Sequence, residues 1–108
     1  MGATVNLKGS LSMLILHIVA GEPSHGYQIA KLIKQQSEGV LDFKEGTLYP
    51  TLHSLEEQGL LEAYTQVENG RTRRYYRLTE AGGTMQKQQR AEWQRYARAV
   101  NLILEEAT

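Results

Sequence analysis

The chain has 108 residues, twelve Lys and Arg against twelve Asp and Glu, and no cysteine. That excludes disulfides and thiolate metal sites, and the longest apolar run, Leu14 to Ala20 interrupted by His17, is too short to span a bilayer. With a formal net charge of zero, any contact with nucleic acid has to come from local clusters of charge.

A domain this small buries a limited fraction of its surface, which favours association into a homodimer. Met1 to Lys8 has no basic segment followed by an apolar core, so a cytoplasmic protein with no membrane contact is expected. Leu7, Leu11, Leu14 and Ile18 recur at helical spacing. Met13, Ile15, Leu16 and Val19 extend the apolar surface around most of the same segment. A helix apolar all round must be covered all round, and one small domain covers one face, so a partner chain is expected on the other.

Gly21 to Pro23 break the chain, and the Ser24 hydroxyl is placed to cap a second helix. Ile29, Leu32 and Ile33 form its buried stripe, and Gly39 ends it. Tyr27, Lys31 and Lys34 fall on the opposite side of the helical wheel as one outward row. A third helix is predicted from about Glu45 to Gln58, with Leu48, Leu52 and Leu55 inward and Gly59 as its stop. Its outward face carries Gly46, Tyr49, Pro50, His53 and Ser54, flanked by Thr47, and Lys44 stands just ahead of it. Pro50 crowds the carbonyl of Gly46 four residues back, so a kink is expected there.

Leu60 to Val67 and Thr72 to Thr79 are rich in β-branched and aromatic residues, and Asn69-Gly70 between them signals a two-residue hairpin turn. Alternation sets Tyr76 and Leu78 on one face and Arg73, Tyr75 and Arg77 on the other, with Arg74 able to reach outward near the tip. Arg71, Arg73, Arg74 and Arg77 fall within seven residues containing no acid, whereas Glu56, Glu57, Glu62 and Glu68 precede them. After Thr79 as N-cap, with Glu80 in the first turn, a long helix is predicted to about Glu106. Trp93, Tyr96, Val100 and Ile103 step by 3, 4 and 3 along it, the spacing of a helix-packing seam.

Three helices followed by a hairpin make a mainly α fold with a β-hairpin, in the order of a winged helix-turn-helix. Residues 1–79 would form that unit, and residues 80–108 a C-terminal dimerisation helix compact with it. The third helix of such a domain enters the major groove while the hairpin touches flanking backbone. Small residues at its start, Gly46 and Thr47, permit close approach to base edges. Tyr49 and His53 can donate hydrogen bonds there, and wing arginines suit phosphate.

Four segments in order, Gly26-Tyr27-Gln28-Ile29, Glu45-Gly46-Thr47-Leu48-Tyr49-Pro50, Leu55-Glu56-Glu57-Gln58-Gly59-Leu60 and the run from Gly70 to Gly82, resemble the PadR family of bacterial transcription regulators. The resemblance runs from about Leu7 to Gly82, and the short single-helix tail is similar to the compact subgroup of that family. It implies a dimeric repressor that straddles a pseudo-palindromic operator in double-stranded DNA. Tyr27, Thr47 and Tyr49 would face DNA from the helices, and Arg71, Arg73 and Arg74 from the wing. Lys44, Gly46 and His53 join this set from the helical wheel and the chain order. The resemblance also implies that an aromatic small molecule can bind between the C-terminal helices, where Trp93, Tyr96, Val100 and Ile103 would form the effector and dimer surface.

Plainer readings stand beside these. Tyr75 and Tyr76 suit packing as well as stacking on DNA, the arginine run suits a solvated edge, and Trp93 suits a plug in the dimer seam as well as a cavity wall. His17, His25 and His53 lie on separate predicted elements without ligand spacing, so no metal or other cofactor is expected. No nucleophile, base and orienting group fall into a recognisable arrangement around Ser37, Asp42, Lys44, Glu45 and His53, so the chain is not read as an enzyme. A winged-helix module that binds protein instead of DNA is the alternative that zero net charge allows.

Overall fold

The first helix, α1 (Ser10–Gly21), buries Leu11, Ile15, Leu16 and Val19, and the half-buried Leu14 and Ile18 pack against the same cluster. Its apolar residues spread around most of the circumference because α2 (Gly26–Gln36), α3 (Glu45–Glu57) and the C-terminal helix α4 (Glu80–Glu105) all pack against it. The computed structural model describes residues 10–105. Leu7, the first member of the predicted repeat, and Glu106, the predicted end of the last helix, lie outside them.

Ile29 and Ile33 of α2 and Leu48, Leu52 and Leu55 of α3 complete the core from two further sides. Fully burying one such side chain contributes about 1.5–3 kcal/mol, and this inward set holds the three helices in one arrangement. The helix α3 is continuous through Pro50. It ends where Gly59, at φ 77°, takes the left-handed conformation and the Leu60 amide donates to the Leu55 carbonyl at 3.0 Å.

Two strands, β2 (Leu61–Glu68) and β3 (Arg71–Leu78), form the hairpin in antiparallel register from Leu61 opposite Leu78 to Glu68 opposite Arg71. Asn69 and Gly70 have φ of 51° and 76°, positive at both central positions as a type I′ turn requires. A two-residue strand, β1 (Ser24–His25), pairs with the other edge of β3, Ser24 opposite Tyr76 and His25 opposite Tyr75. This strand corrects the predicted role of Ser24. Ser24 is fully buried in the sheet with its hydroxyl donating to the Glu22 carbonyl, and the helix cap passes to His25, whose Nδ1 accepts from the Gln28 amide at 3.3 Å. The helix α2 likewise ends at Gln36, ahead of a turn in which Glu38 and Gly39 both have positive φ.

Thr79 caps α4 as predicted. Its Oγ1 accepts from the Gly82 amide at 3.0 Å and donates to the Gly59 carbonyl at 2.6 Å, tying the helix start to the end of α3. Gly82 lies directly on the Leu60 carbonyl, too close for any side chain. With Gly82, Gln86 and Met85 against the domain, α4 then projects for the rest of its 26 residues, about 39 Å in all at 1.5 Å per residue. Along that projection Leu102, Ile103 and Leu104 are exposed, Ile103 at 70%.

Candidate nucleic-acid interface

The first turn of α2, the middle of α3 and the wing converge on a cleft of about 250 Å³. It is lined by His25, Gly26, Tyr27, Tyr49, His53, Thr72, Arg73, Arg74 and Tyr76. Five of the residues singled out in the sequence, Tyr27, Tyr49, His53, Arg73 and Arg74, therefore meet although they come from three elements. Lys44, Gly46 and Thr47 lie outside the lining, on the exposed start of α3, and Arg71 lies exposed beside the turn of the wing. A larger cleft of about 410 Å³, between α1 and α2, contains none of these residues.

Close approach of α2 to α3 is what forms the floor of the smaller cleft. A Cβ at Gly26 would stand 2.7 Å from both Cε1 and the hydroxyl oxygen of Tyr49, so any larger residue there would have to displace the Tyr49 ring. Tyr49 is half-buried against the core, and burial, then the nearby Glu45 carboxylate, raises its pKa above the ordinary phenol value. Its hydroxyl stays protonated at neutral pH and can donate. Lys44 is the N-cap of α3 through its extended backbone, without a side-chain cap bond.

The outer face of the wing carries a continuous run of rings. Arg77 lies 4.7 Å above the Tyr64 ring, Tyr64 stacks on Tyr75 at 5.8 Å, Tyr75 meets His25 edge-on at 5.3 Å, and His25 stacks on Tyr27 at 6.4 Å. Tyr75 is consequently buried although it sits on the face opposite Tyr76, with its hydroxyl donating to Glu68 at 2.9 Å. Tyr27 closes the run and is 65% exposed. Burial, followed by the Arg73 charge, lowers the His25 pKa, with Glu68 opposing. The neutral ring is also the form that caps α2, since Nδ1 must be free of its proton to accept.

The acids that precede the wing in sequence face its arginines in space. Arg74 pairs with Glu56 at 2.8 Å, Arg77 with Glu62 at 3.3 Å, and Arg73 Nε lies 3.6 Å from Glu68. Arg71 has no ion pair among the described residues. The basic run read from the sequence is thus largely compensated at the surface, because β2 and the end of α3 bring carboxylates alongside.

The sequence profile of the transcriptional regulator PadR-like family matches residues 15–88, most of the described chain. The chain belongs to the PadR-like family of transcriptional regulators. Transcriptional regulator Rv3488 of Mycobacterium tuberculosis is 39% identical over 93 residues, covering 86% of this chain and 84% of that protein. The crystal structure of smu.1704 from Streptococcus mutans superposes with a TM-score of 0.83 at 38% identity, over 97% of this chain and 94% of that one. A PadR family regulator from Eggerthella lenta superposes at 0.78 and 31% identity, over 92% of this chain and 85% of that one. The PadR-like assignment makes the chain a transcriptional regulator with a winged-helix fold, and not an enzyme. Among the described residues no helix is long and apolar enough to cross a membrane.

His25, Gly26, Thr72 and Tyr76 are the lining residues outside the DNA-facing set expected from the sequence. The signal for His25 is its place directly before Gly26, where the stronger capping preference of serine points to Ser24 instead. The β1 pairing that shifts the helix start by one residue is a long-range contact with β3, and two residues carry no periodicity of their own.

Proposed function

We propose that this PadR-like regulator is a cytoplasmic repressor that binds a pseudo-palindromic operator as a homodimer, with α3 in the major groove and the wing on flanking backbone. The observation that carries this reading is the cleft, which sets Tyr27, Tyr49 and His53 beside Arg73 and leaves the Gly46–Thr47 start of α3 open. Tyr49 and His53, with Thr47, read base edges, Gly46 admits the backbone close to them, and Tyr27, Lys44, Arg71 and Arg73 meet phosphates.

The projecting half of α4 supports the dimer. Trp93 and Tyr96, whose ring centroids lie 6.3 Å apart, together with Val100 and Ile103, form a stripe that a second copy would cover. Residues 1–79 then act as the DNA-binding unit and residues 80–108 as the dimerisation helix. A flat aromatic effector seated beside Trp93 releases the operator if it prefers a dimer geometry that sets the two wings at a different spacing.

Fluorescence anisotropy with a duplex from immediately upstream of the gene and a scrambled duplex, at two salt concentrations, tests this reading. Preferential and salt-sensitive binding of the upstream duplex is expected. Binding to neither duplex at low salt refutes it and favours the second reading, a module for a protein partner, which the compensated charge of the wing supports.

A further inference from the structure

The two faces of the wing use their arginines differently. Arg74 lies on the face of Tyr76 and Leu78, since alternate residues of a strand share a face. Its Nη2 donates to both carboxylate oxygens of Glu56, at 2.8 and 3.1 Å, and its guanidinium carbon lies 5.9 Å from the centroid of the Tyr76 ring. Glu56 sits in the last turn of α3, whereas Arg74 pairs with Thr65 midway between the base and the tip of the hairpin. Among the described residues this is the one side-chain hydrogen bond or ion pair between α3 and the wing. Arg73, the next residue along, is on the opposite face of the strand, near Glu68.

We propose that Arg74 is a positioning residue and not a phosphate contact: with Glu56 it forms a strut that sets the angle of the wing against α3, leaving Arg71 and Arg73 to meet the DNA backbone. Its effect on DNA rests on the operator-binding reading above, while the strut itself does not. The apolar anchor of the hairpin, Leu61, Tyr76 and Leu78, holds only its base. Beyond that point a rigid wing needs a tie to the helix it must act with. The side chains of Arg74 and Glu56 are 50% and 32% exposed, so the pair adds little to folding stability and its removal leaves the domain folded.

The test compares Glu56→Ala, Arg74→Glu and the exchanged pair Glu56→Arg with Arg74→Glu, using amide hydrogen exchange in the free protein and anisotropy with the upstream duplex. Glu56→Ala is expected to speed exchange in the outer half of β2 and β3. It should also weaken duplex binding by up to roughly five-fold per wing, the ceiling for an exposed ion pair. The exchanged pair is expected to restore both to within about two-fold of the wild type, which it cannot do if residue 74 touches phosphate, where a glutamate repels. Unchanged exchange in Glu56→Ala overturns the strut. Tighter duplex binding by Glu56→Ala, or an exchanged pair as weak as Arg74→Glu alone, overturns it equally. A wild-type protein that binds no duplex while its wing exchange responds ends the operator reading and leaves the strut standing.

Discussion

Gly82 and Gly83 are adjacent in the first turns of α4, yet alanine at the two positions should act in opposite directions. In a helix, alanine is favoured over glycine by about 0.5–1 kcal/mol, because glycine loses more backbone freedom on folding. Around Gly83 nothing lies within 4 Å of the added Cβ, so the full gain should appear. At Gly82 the same methyl runs into the Leu60 carbonyl oxygen and comes within 3.1 Å of Leu78 Cδ2. The oxygen cannot turn aside without giving up the Thr79 amide it accepts at 3.2 Å.

The helix start must therefore back away, weakening the bond from Thr79 to Gly59, the Thr79 cap on Gly82 and the amide bond to Leu60, each worth about 1 kcal/mol. Losing about 3 kcal/mol against a gain of up to about 1 leaves a net cost of about 2, within the range for overpacking. For a domain of this size that corresponds to a fall in Tm of roughly 8–16 °C, against a rise of a few degrees for Gly83→Ala. Thermal unfolding followed by circular dichroism, at one fixed protomer concentration because association raises Tm, measures both. Equal shifts in the same direction, or a Gly82→Ala variant as stable as wild type, would refute the close-approach account.

Further outcomes follow from the cleft and from α4. Arg71→Ala combined with Arg73→Ala should weaken upstream and scrambled duplexes alike and flatten the salt dependence, the slope falling by about one for each phosphate that an arginine no longer neutralises; Tyr49→Ala should mainly erode the preference between them, and equal effects would defeat that division. His25 has a folded pKa below its ordinary value of 6.5, so below that pH the unfolded chain binds more protons and stability falls as pH drops through the folded pKa. Above 6.5 that stability is fully present and no longer depends on pH, and His25→Asn, which can still cap, should remove this part of the slope below 6.5; a constant difference between variant and wild type as pH falls below 6.5 counts against it. Ile103→Asp should convert the proposed dimer to monomers in analytical ultracentrifugation, since it puts a charge into the exposed stripe of α4, and an unchanged mass would move the interface elsewhere. Planar aromatic cations should quench or shift Trp93 fluorescence, and silence from all of them at soluble concentrations speaks against an effector site there.

How much of this was legible in the sequence depends on the range of the contacts involved. The leucine spacing of α3, the glycine stop at Gly59, the Asn69-Gly70 turn and the Thr79 cap are each set by residues within a few positions of one another, and each stands where it was expected. The outward row of Tyr27, Lys31 and Lys34 is likewise exposed, because helical period alone decides which residues face away from Ile29. Pattern, turn chemistry and motif order were enough for the winged-helix fold and its family.

Tertiary structure decided what happens where distant segments meet. Ser24 reads as a cap until β3 claims it for a sheet, and the sequence leaves Tyr75 open between packing and stacking on DNA until His25 and Tyr64 are seen to cover it from two other strands. The arginines of the wing read as free charge because their carboxylate partners lie 5 to 18 residues earlier, and only the return of β3 alongside β2 and the end of α3 brings Glu68, Glu62 and Glu56 within 4 Å. Local periodicity decides which way a side chain points. What it points at, and whether its charge is already satisfied, belongs to the packing of elements that the chain joins only after it has turned back on itself.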